Sequence, residues 1–179
     1  MLSYTKTIPL LSLYPLYKMT KSDKNLNVVL DMDETLLHTC RKDKFCDHNN
    51  SNTNGKPIES ETHVIFTRPF LYSFLFLTSK ISNVYLMTKG TKSYAESVTR
   101  TLDIDKYFIE KKYREDLTSG CKDLKLLLNE TKLYNSILID DKKSNQCTNQ
   151  ELYHIPKYNM YVKYDFELIK LFFYLLYKS

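Results

Sequence analysis

Asp31 and Asp33 stand two positions apart at the end of an apolar run, residues 26–30, broken only by Asn27. Such a β-branched and leucine-rich run bounded by polar residues reads as a buried strand. In an extended segment residues i and i+2 face the same side, so both carboxylates would converge on one reacting group. A carboxylate pair of this kind does phosphoryl chemistry when one member attacks phosphorus and the other handles the leaving-group proton. A bare pair reads equally well as a polar turn before a helix, because Asp and Thr both cap helices. Thr35 completes an Asp-x-Asp-x-Thr pattern, and the residues further along the chain decide between the two readings.

The elements that must position this pair follow from periodicity. Residues 38–61 are polar, with an Asn/Ser/Thr-rich centre, and read as an exposed loop. Residues 63–67 alternate as a strand, and Arg68-Pro69 opens a helix running to Lys80, with Phe70, Phe74 and Leu77 on its apolar face. Residues 83–87 form the next strand, ending at Thr88, and residues 91–102 a second helix with Tyr94, Ala95 and Val98 inward. A short strand is expected at 107–109, a helix at 122–129, a strand at 136–139 leading into Asp140-Asp141, a last strand at 159–162, and a closing helix at 165–177 capped by Asp165. Strands alternating with helices imply right-handed crossovers and a mainly parallel sheet. Asp31, Thr88 and Asp140 would then end three strands on one edge, the edge where ligands bind in open α/β sheets.

With 179 residues the chain is one domain of ordinary size: an extension over 1–25 that packs on the domain or stays loose, and a folded domain over 26–179. A hydrophobic share of 42% with 26% charged residues excludes a disordered or fibrous chain. The net charge of +5 suits phosphorylated or acidic partners, but no Lys/Arg block is dense enough for direct nucleic-acid binding. Residues 8–17 are apolar but interrupted by Pro9 and Pro15, too short to span a membrane. Cys40, Cys46, Cys121 and Cys147 are scattered without a secretory pattern, so reduced thiols in an intracellular setting are expected. His38, Cys40, Cys46 and His48 cluster, but their spacing matches no usual zinc pattern.

The segments 29–38 (Val-Leu-Asp-Met-Asp-Glu-Thr-Leu-Leu-His), Arg68-Pro69-Phe70 with Phe74-Leu75, 87–95 (Met-Thr-Lys-Gly-Thr-Lys-Ser-Tyr-Ala), Tyr113-Arg114-Glu115-Asp116, Lys122-Asp123-Leu124, Ile139-Asp140-Asp141 and the closing Asp165-Phe166-Glu167-Leu168 with Phe172-Phe173 follow in a telling order. Together they resemble the haloacid dehalogenase superfamily, and within it the phosphatases that act on the C-terminal tail of RNA polymerase II, of the TFIIF-associated and small-phosphatase types. The resemblance implies a three-layer α/β/α fold without a large cap domain, leaving an open cleft for a phosphorylated peptide. It implies Asp31 as nucleophile, Asp33 as acid and base, and Thr88 and Lys122 as catalytic residues on the phosphoryl oxygens. Thr35, Arg114 and Arg68 fall on the substrate side. The cofactor implied is Mg²⁺, held by Asp31, the backbone carbonyl of Asp33 and a carboxylate of Asp140-Asp141, with the family pattern favouring Asp141 as direct ligand.

The function implied is a protein serine/threonine phosphatase, monomeric and without membrane attachment, nuclear rather than cytoplasmic, acting on peptides like the polymerase tail. The alternatives are a nucleic-acid-end or small-metabolite phosphatase with the same chemistry, or a catalytically weak scaffold on this fold. Met87 stands where relatives carry an aromatic residue, and Lys142-Lys143-Ser144 departs from the usual continuation after the paired aspartates.

Overall fold

The computed structural model describes residues 24–43, 56–117, 120–162 and 164–179. The expected N-terminal extension up to residue 23, and Cys46 and His48 of the clustered His/Cys segment, lie outside the described residues.

Five strands form a parallel sheet in the order β6-β5-β1-β7-β8: β1 Asn27–Leu30, β5 Asn83–Met87, β6 Lys111–Lys112, β7 Ser136–Asp140 and β8 Leu152–His154. The central strands are buried on both faces, which explains their almost continuous apolar sequences. Val28, Leu30, Val84, Leu86, Ile137 and Ile139 point into one core, with Leu71, Phe74 and Leu75 of α1 (Leu71–Ile81), Ala95 and Val98 of α2 (Lys92–Thr101), and Leu168, Leu171 and Leu175 of α4 (Glu167–Lys178). Val29, Tyr85, Met87 and Leu138 point the other way, against Leu124 and Leu128. That second layer is thin: the helix expected at 122–129 is only a 3-10 turn over 124–126, and the four-residue helix α3 (Glu130–Leu133) follows it. The α/β class with a mainly parallel sheet is as expected.

A second, antiparallel sheet, β2-β4-β3, departs from the sequence reading. Part of the polar stretch expected as a loop is strand: β2 (Leu37–Arg41) and β3 (Ile58–Glu59) flank β4 (His63–Thr67). β2 and β3 are for the most part only partly buried, so their polar residues mask the pattern. The strand expected at 107–109 falls instead at 111–112, after a 3-10 turn over 105–107. The last strand lies at 152–154, not 159–162, because Leu152-Tyr153-His154 pairs with β7 and completes the sheet edge. Cys121 and Cys147, expected as reduced thiols, are joined by a disulfide with Cα atoms 5.4 Å apart. Among the described residues no helix is long and apolar enough to cross a membrane.

Candidate active site

Sheet register brings the carboxylates together. Leu30 is level with Leu86 on one side and Ile139 on the other, so the next residue, Asp31, comes level with Met87 and Asp140. The Asp31 amide donates to the Ile139 carbonyl at 2.9 Å, holding the chain in line as it leaves the sheet. It then turns sharply: Glu34 takes a left-handed conformation, with φ of 63°, and the Leu36 amide returns to the Met32 carbonyl at 2.9 Å. This turn presents both Asp31 and Asp33 to a cleft of about 820 Å³ that Thr88, Arg114 and Asp141 also line. Asp31, Thr88 and Asp140 do end three neighbouring parallel strands, as the sequence order implied.

Lys122 is fully buried between two of these carboxylates. Its ammonium donates to Asp31 Oδ1 and, at 2.7 Å, to Asp140 Oδ2. The backbone around it is tied to the loop after β7: the Lys122 amide donates to the Asn145 carbonyl at 2.7 Å, and the Gln150 side chain donates to the Lys122 carbonyl at 2.8 Å. The Cys121–Cys147 bond closes the same junction. Thr35 Oγ1 donates to Asp31 Oδ2 at 3.3 Å, so both oxygens of Asp31 are oriented.

Burial pushes the Asp31 carboxyl up to about 7; the Lys122 ammonium opposes this and the charge of Asp140 adds to it. Asp33 is also raised by burial, while a hydrogen bond from Tyr94 pulls it down. Asp141 is raised by burial and by the neighbouring Asp140. A site that penalises this much carboxylate charge is one that a cation would relieve. Oxygens of Asp31, Asp140 and Asp141 lie within 4.8 Å of one another, and an all-oxygen donor set fits a hard divalent ion.

The two adjacent aspartates are not equivalent. Asp140 already accepts from Lys122, from Asn145 Nδ2 at 2.9 and 3.1 Å, and from the Lys142 amide at 2.8 Å. Asp141 is half-buried and faces the cleft.

Two residues named on the substrate side are placed elsewhere. Arg68 is buried and does not line the cleft: its guanidinium pairs with Asp165 at 3.0 Å and donates to the carbonyls of Thr35 and Pro156. All of its edges are engaged in joining the β1 turn to the start of α4, which corrects the expected substrate contact. Thr35 is likewise fully buried beneath Asp31. Arg114 does reach the cleft, its Nε donating to the Lys89 carbonyl at 2.7 Å. Thr88 is buried at the floor, and its Oγ1 accepts from the Gly90 amide at 3.0 Å.

Sequence reasoning misses Asn145 and Tyr94. Asn145 follows a strand-end aspartate by five residues, a spacing with no recognisable signature. Tyr94 reads from its spacing as a core residue of α2; its ring is half-buried, but its hydroxyl reaches Asp33.

Comparison with known proteins accords with this arrangement. The family described as NLI interacting factor-like phosphatase matches residues 26–178. A Caenorhabditis elegans phosphatase of the RNA polymerase II C-terminal domain is 26% identical over 102 residues, 55% of this chain and 16% of that protein. The human carboxy-terminal domain RNA polymerase II small phosphatase 2 is 31% identical over 143 residues, covering 75% of this chain and 50% of that protein. The chain thus spans half the length of the human relative and less of the worm one. The structure of Fcp1, an essential RNA polymerase II CTD phosphatase, superposes with a TM-score of 0.61 at 21% identity, over 93% of this chain and 53% of that one. A fission yeast form of Fcp1 bound to beryllium fluoride gives 0.61 at 19% identity, over 93% and 54%. At these identities the structural likeness speaks for the fold, and the family match, over most of the chain, for membership. The chain belongs to the NLI interacting factor-like phosphatase family.

Proposed function

We propose that this chain is a Mg²⁺-dependent protein serine/threonine phosphatase that works through an aspartyl-phosphate and acts on phosphorylated peptides of the RNA polymerase II tail class, in the nucleus. The observation that carries the reading is the buried Lys122 ammonium held between Asp31 and Asp140, with Asp33 two residues beyond the first. A structural ion pair alone does not call for a second carboxylate at the mouth of a cleft.

Asp31, oriented by Lys122 and Thr35, attacks phosphorus. The P–O ester bond breaks, its electron pair goes to the serine or threonine oxygen, and Asp33 delivers a proton there. Asp33, now a carboxylate, takes a proton from the water that attacks the aspartyl-phosphate. The bond to Asp31 breaks and inorganic phosphate leaves. Lys122 compensates the negative charge of the attacking carboxylate and stays fixed throughout. Asp31, Asp141 and the Asp33 carbonyl would hold Mg²⁺, with Asp140 as support; when bound it offsets the negative charge developing on the phosphoryl oxygens.

The substrate class follows from the rim. Beside the carboxylates of the reacting centre, Arg41, Lys89, Arg114 and Lys142 line an open cleft together with Glu34 and Glu61, and its open shape favours a phosphorylated polypeptide over a small enclosed metabolite. Names of the relatives point to the polymerase tail, and with it to the nucleus.

Purified protein with Mg²⁺ should release phosphate from p-nitrophenyl phosphate and from phosphoserine heptad peptides. Asp31→Asn should lower kcat by at least about a thousandfold, as loss of a nucleophile does. Activity that survives this substitution, or no turnover of any phosphoester by the unaltered chain, would overturn the proposal.

A further inference from the structure

Tyr94 lies 61 positions from Asp33 in sequence, yet its hydroxyl donates to Asp33 Oδ1. The same hydroxyl lies 2.6 Å from Thr39 Oγ1. A phenol has one proton, and it is committed to Asp33, so Thr39 is the donor in the second contact. The result is a directed chain, Thr39 to Tyr94 to Asp33, running from β2 of the small sheet through α2 to the catalytic turn. A phenol keeps its proton well above neutral pH, so Tyr94 is a donor throughout the physiological range.

The ring has little freedom to leave this place. A Cβ on Gly90 would stand 2.8 Å from its Cδ1, so the backbone of the 88–90 turn lies directly against it. The His63 ring lies on another side, with centroids 4.8 Å apart. Thr91 caps α2 by accepting from the Tyr94 amide at 3.4 Å, which fixes the start of the helix that carries the ring. Asp33 Oδ2 has no hydrogen-bond partner among the described residues and is not enclosed.

We propose that Tyr94 is a positioning residue that holds Asp33 by Oδ1 and so turns Oδ2 toward the leaving-group oxygen. This deepens, and rests on, the phosphatase reading. It also gives the small antiparallel sheet a role in the reaction, since Thr39 sits on β2. In the first half-reaction Asp33 Oδ2 releases its proton to the ester oxygen as the P–O bond breaks. In the second the same atom takes one proton from the attacking water.

Leaving-group dependence separates this role from packing or binding. Phenyl and p-nitrophenyl phosphate have nearly the same shape, but the nitrophenolate departs without help and the phenolate does not. Their kcat/KM reports only the steps through transfer to Asp31. Tyr94→Phe should lower kcat/KM about thirtyfold for phenyl phosphate and less than about threefold for p-nitrophenyl phosphate, a fraction of what general acid catalysis contributes. Thr39→Val should change the ratio in the same direction by less. In an Asp33→Asn background, Tyr94→Phe should leave the ratio where Asp33→Asn alone puts it, because the two act as one unit.

Equal falls on both substrates, no fall on either, or an undiminished effect in the Asp33→Asn background would each overturn the assignment. If Tyr94→Phe does not fold, the Thr39→Val ratio decides alone. No turnover by the unaltered chain would overturn the phosphatase reading and this inference together, whereas turnover with parallel falls would overturn only the inference.

Discussion

Lys122 and Asp140 form a 2.7 Å ion pair in which neither side chain is exposed to solvent, and the same ammonium also contacts Asp31. Removing that ammonium leaves the Asp140 carboxylate enclosed without its cation. Lys122→Met should therefore cost about 3–5 kcal/mol of stability in metal-free protein, the usual result of unpairing a buried charge. Urea unfolding measures it. Adding Mg²⁺ should restore part of the stability, since a cation among the carboxylates binds only the folded chain. Activity should not return. An unchanged unfolding midpoint would mean that the pair is not formed.

Asp31 carries a pH signature of the opposite sign to most paired carboxylates. Its folded carboxyl is held up to about 7, against an ordinary value of 3.8. Between those values the unfolded chain has already released this proton while the folded chain retains it, so the contribution of Asp31 to stability falls as pH rises. Asp31→Asn abolishes that dependence. In metal-free protein, the difference in Tm between variant and parent should move in favour of the variant as pH rises through this window. Parallel curves would contradict the burial of the charge.

Arg68 and Arg114 should separate cleanly, although the sequence groups them. Arg68→Leu leaves Asp165 buried without its partner and should cost about 3–5 kcal/mol, with KM for peptide unchanged in the protein that remains folded. Arg114→Ala should alter stability by no more than about 0.5 kcal/mol. Its kcat/KM for phosphopeptide should fall about tenfold, equivalent to about 1.4 kcal/mol. Denaturation curves alongside peptide kinetics make the comparison.

Asp141 and Asn145 should both govern metal affinity, in different ways. Asn145→Ala releases Asp140 and should weaken Mg²⁺ binding about 10–100-fold, as loss of an outer partner does. Asp141→Asn should weaken it further, because a direct ligand is lost. Mg²⁺-dependent thermal shifts give both affinities without reference to turnover. Full Mg²⁺ stabilisation of Asp141→Asn would transfer the ligand role to Asp140.

The Cys121–Cys147 bond closes a loop with a sequence separation of 26 residues. A cross-link of that span constrains the unfolded chain by about 3 kcal/mol. Cys40 is disulfide-bonded as well, so dithiothreitol should lower Tm of the parent protein by more than it lowers that of a Cys147→Ser variant, which already lacks the 121–147 bond. Equal response of both would show that the bond is not formed in solution.

Local patterns are the most legible. The runs 26–30, 83–87 and 136–139 read as strands because buried parallel strands are apolar on both faces, and α1, α2 and α4 follow from their apolar residues. The small antiparallel sheet is not visible in the same way. In Leu37-His38-Thr39-Cys40-Arg41 only Leu37 is fully buried, and the polar residues after it read as loop. Leu152-Tyr153-His154 is an edge strand of three residues, too short for any period to show.

Asp31, Asp33, Thr88 and Asp140-Asp141 stand out in the sequence as candidates, because residue type and a position at a strand end are local properties, whereas Lys122 is a candidate only through the family resemblance. Which contacts they make is not a local property. Lys122 lies 91 positions from Asp31, and Tyr94 lies 61 from Asp33. Those pairings depend on sheet register, on the turn at Glu34 and on the packing of α2, and no spacing along the chain encodes them. Arg68 shows the converse: an arginine in a matching motif became a buried brace because Asp165, 97 positions away, met it first. The sequence alone carried the expectation of phosphoryl chemistry; the tertiary structure decided which side chains touch the two aspartates and which only hold the fold, since those contacts are set by distant groups brought within hydrogen-bond reach.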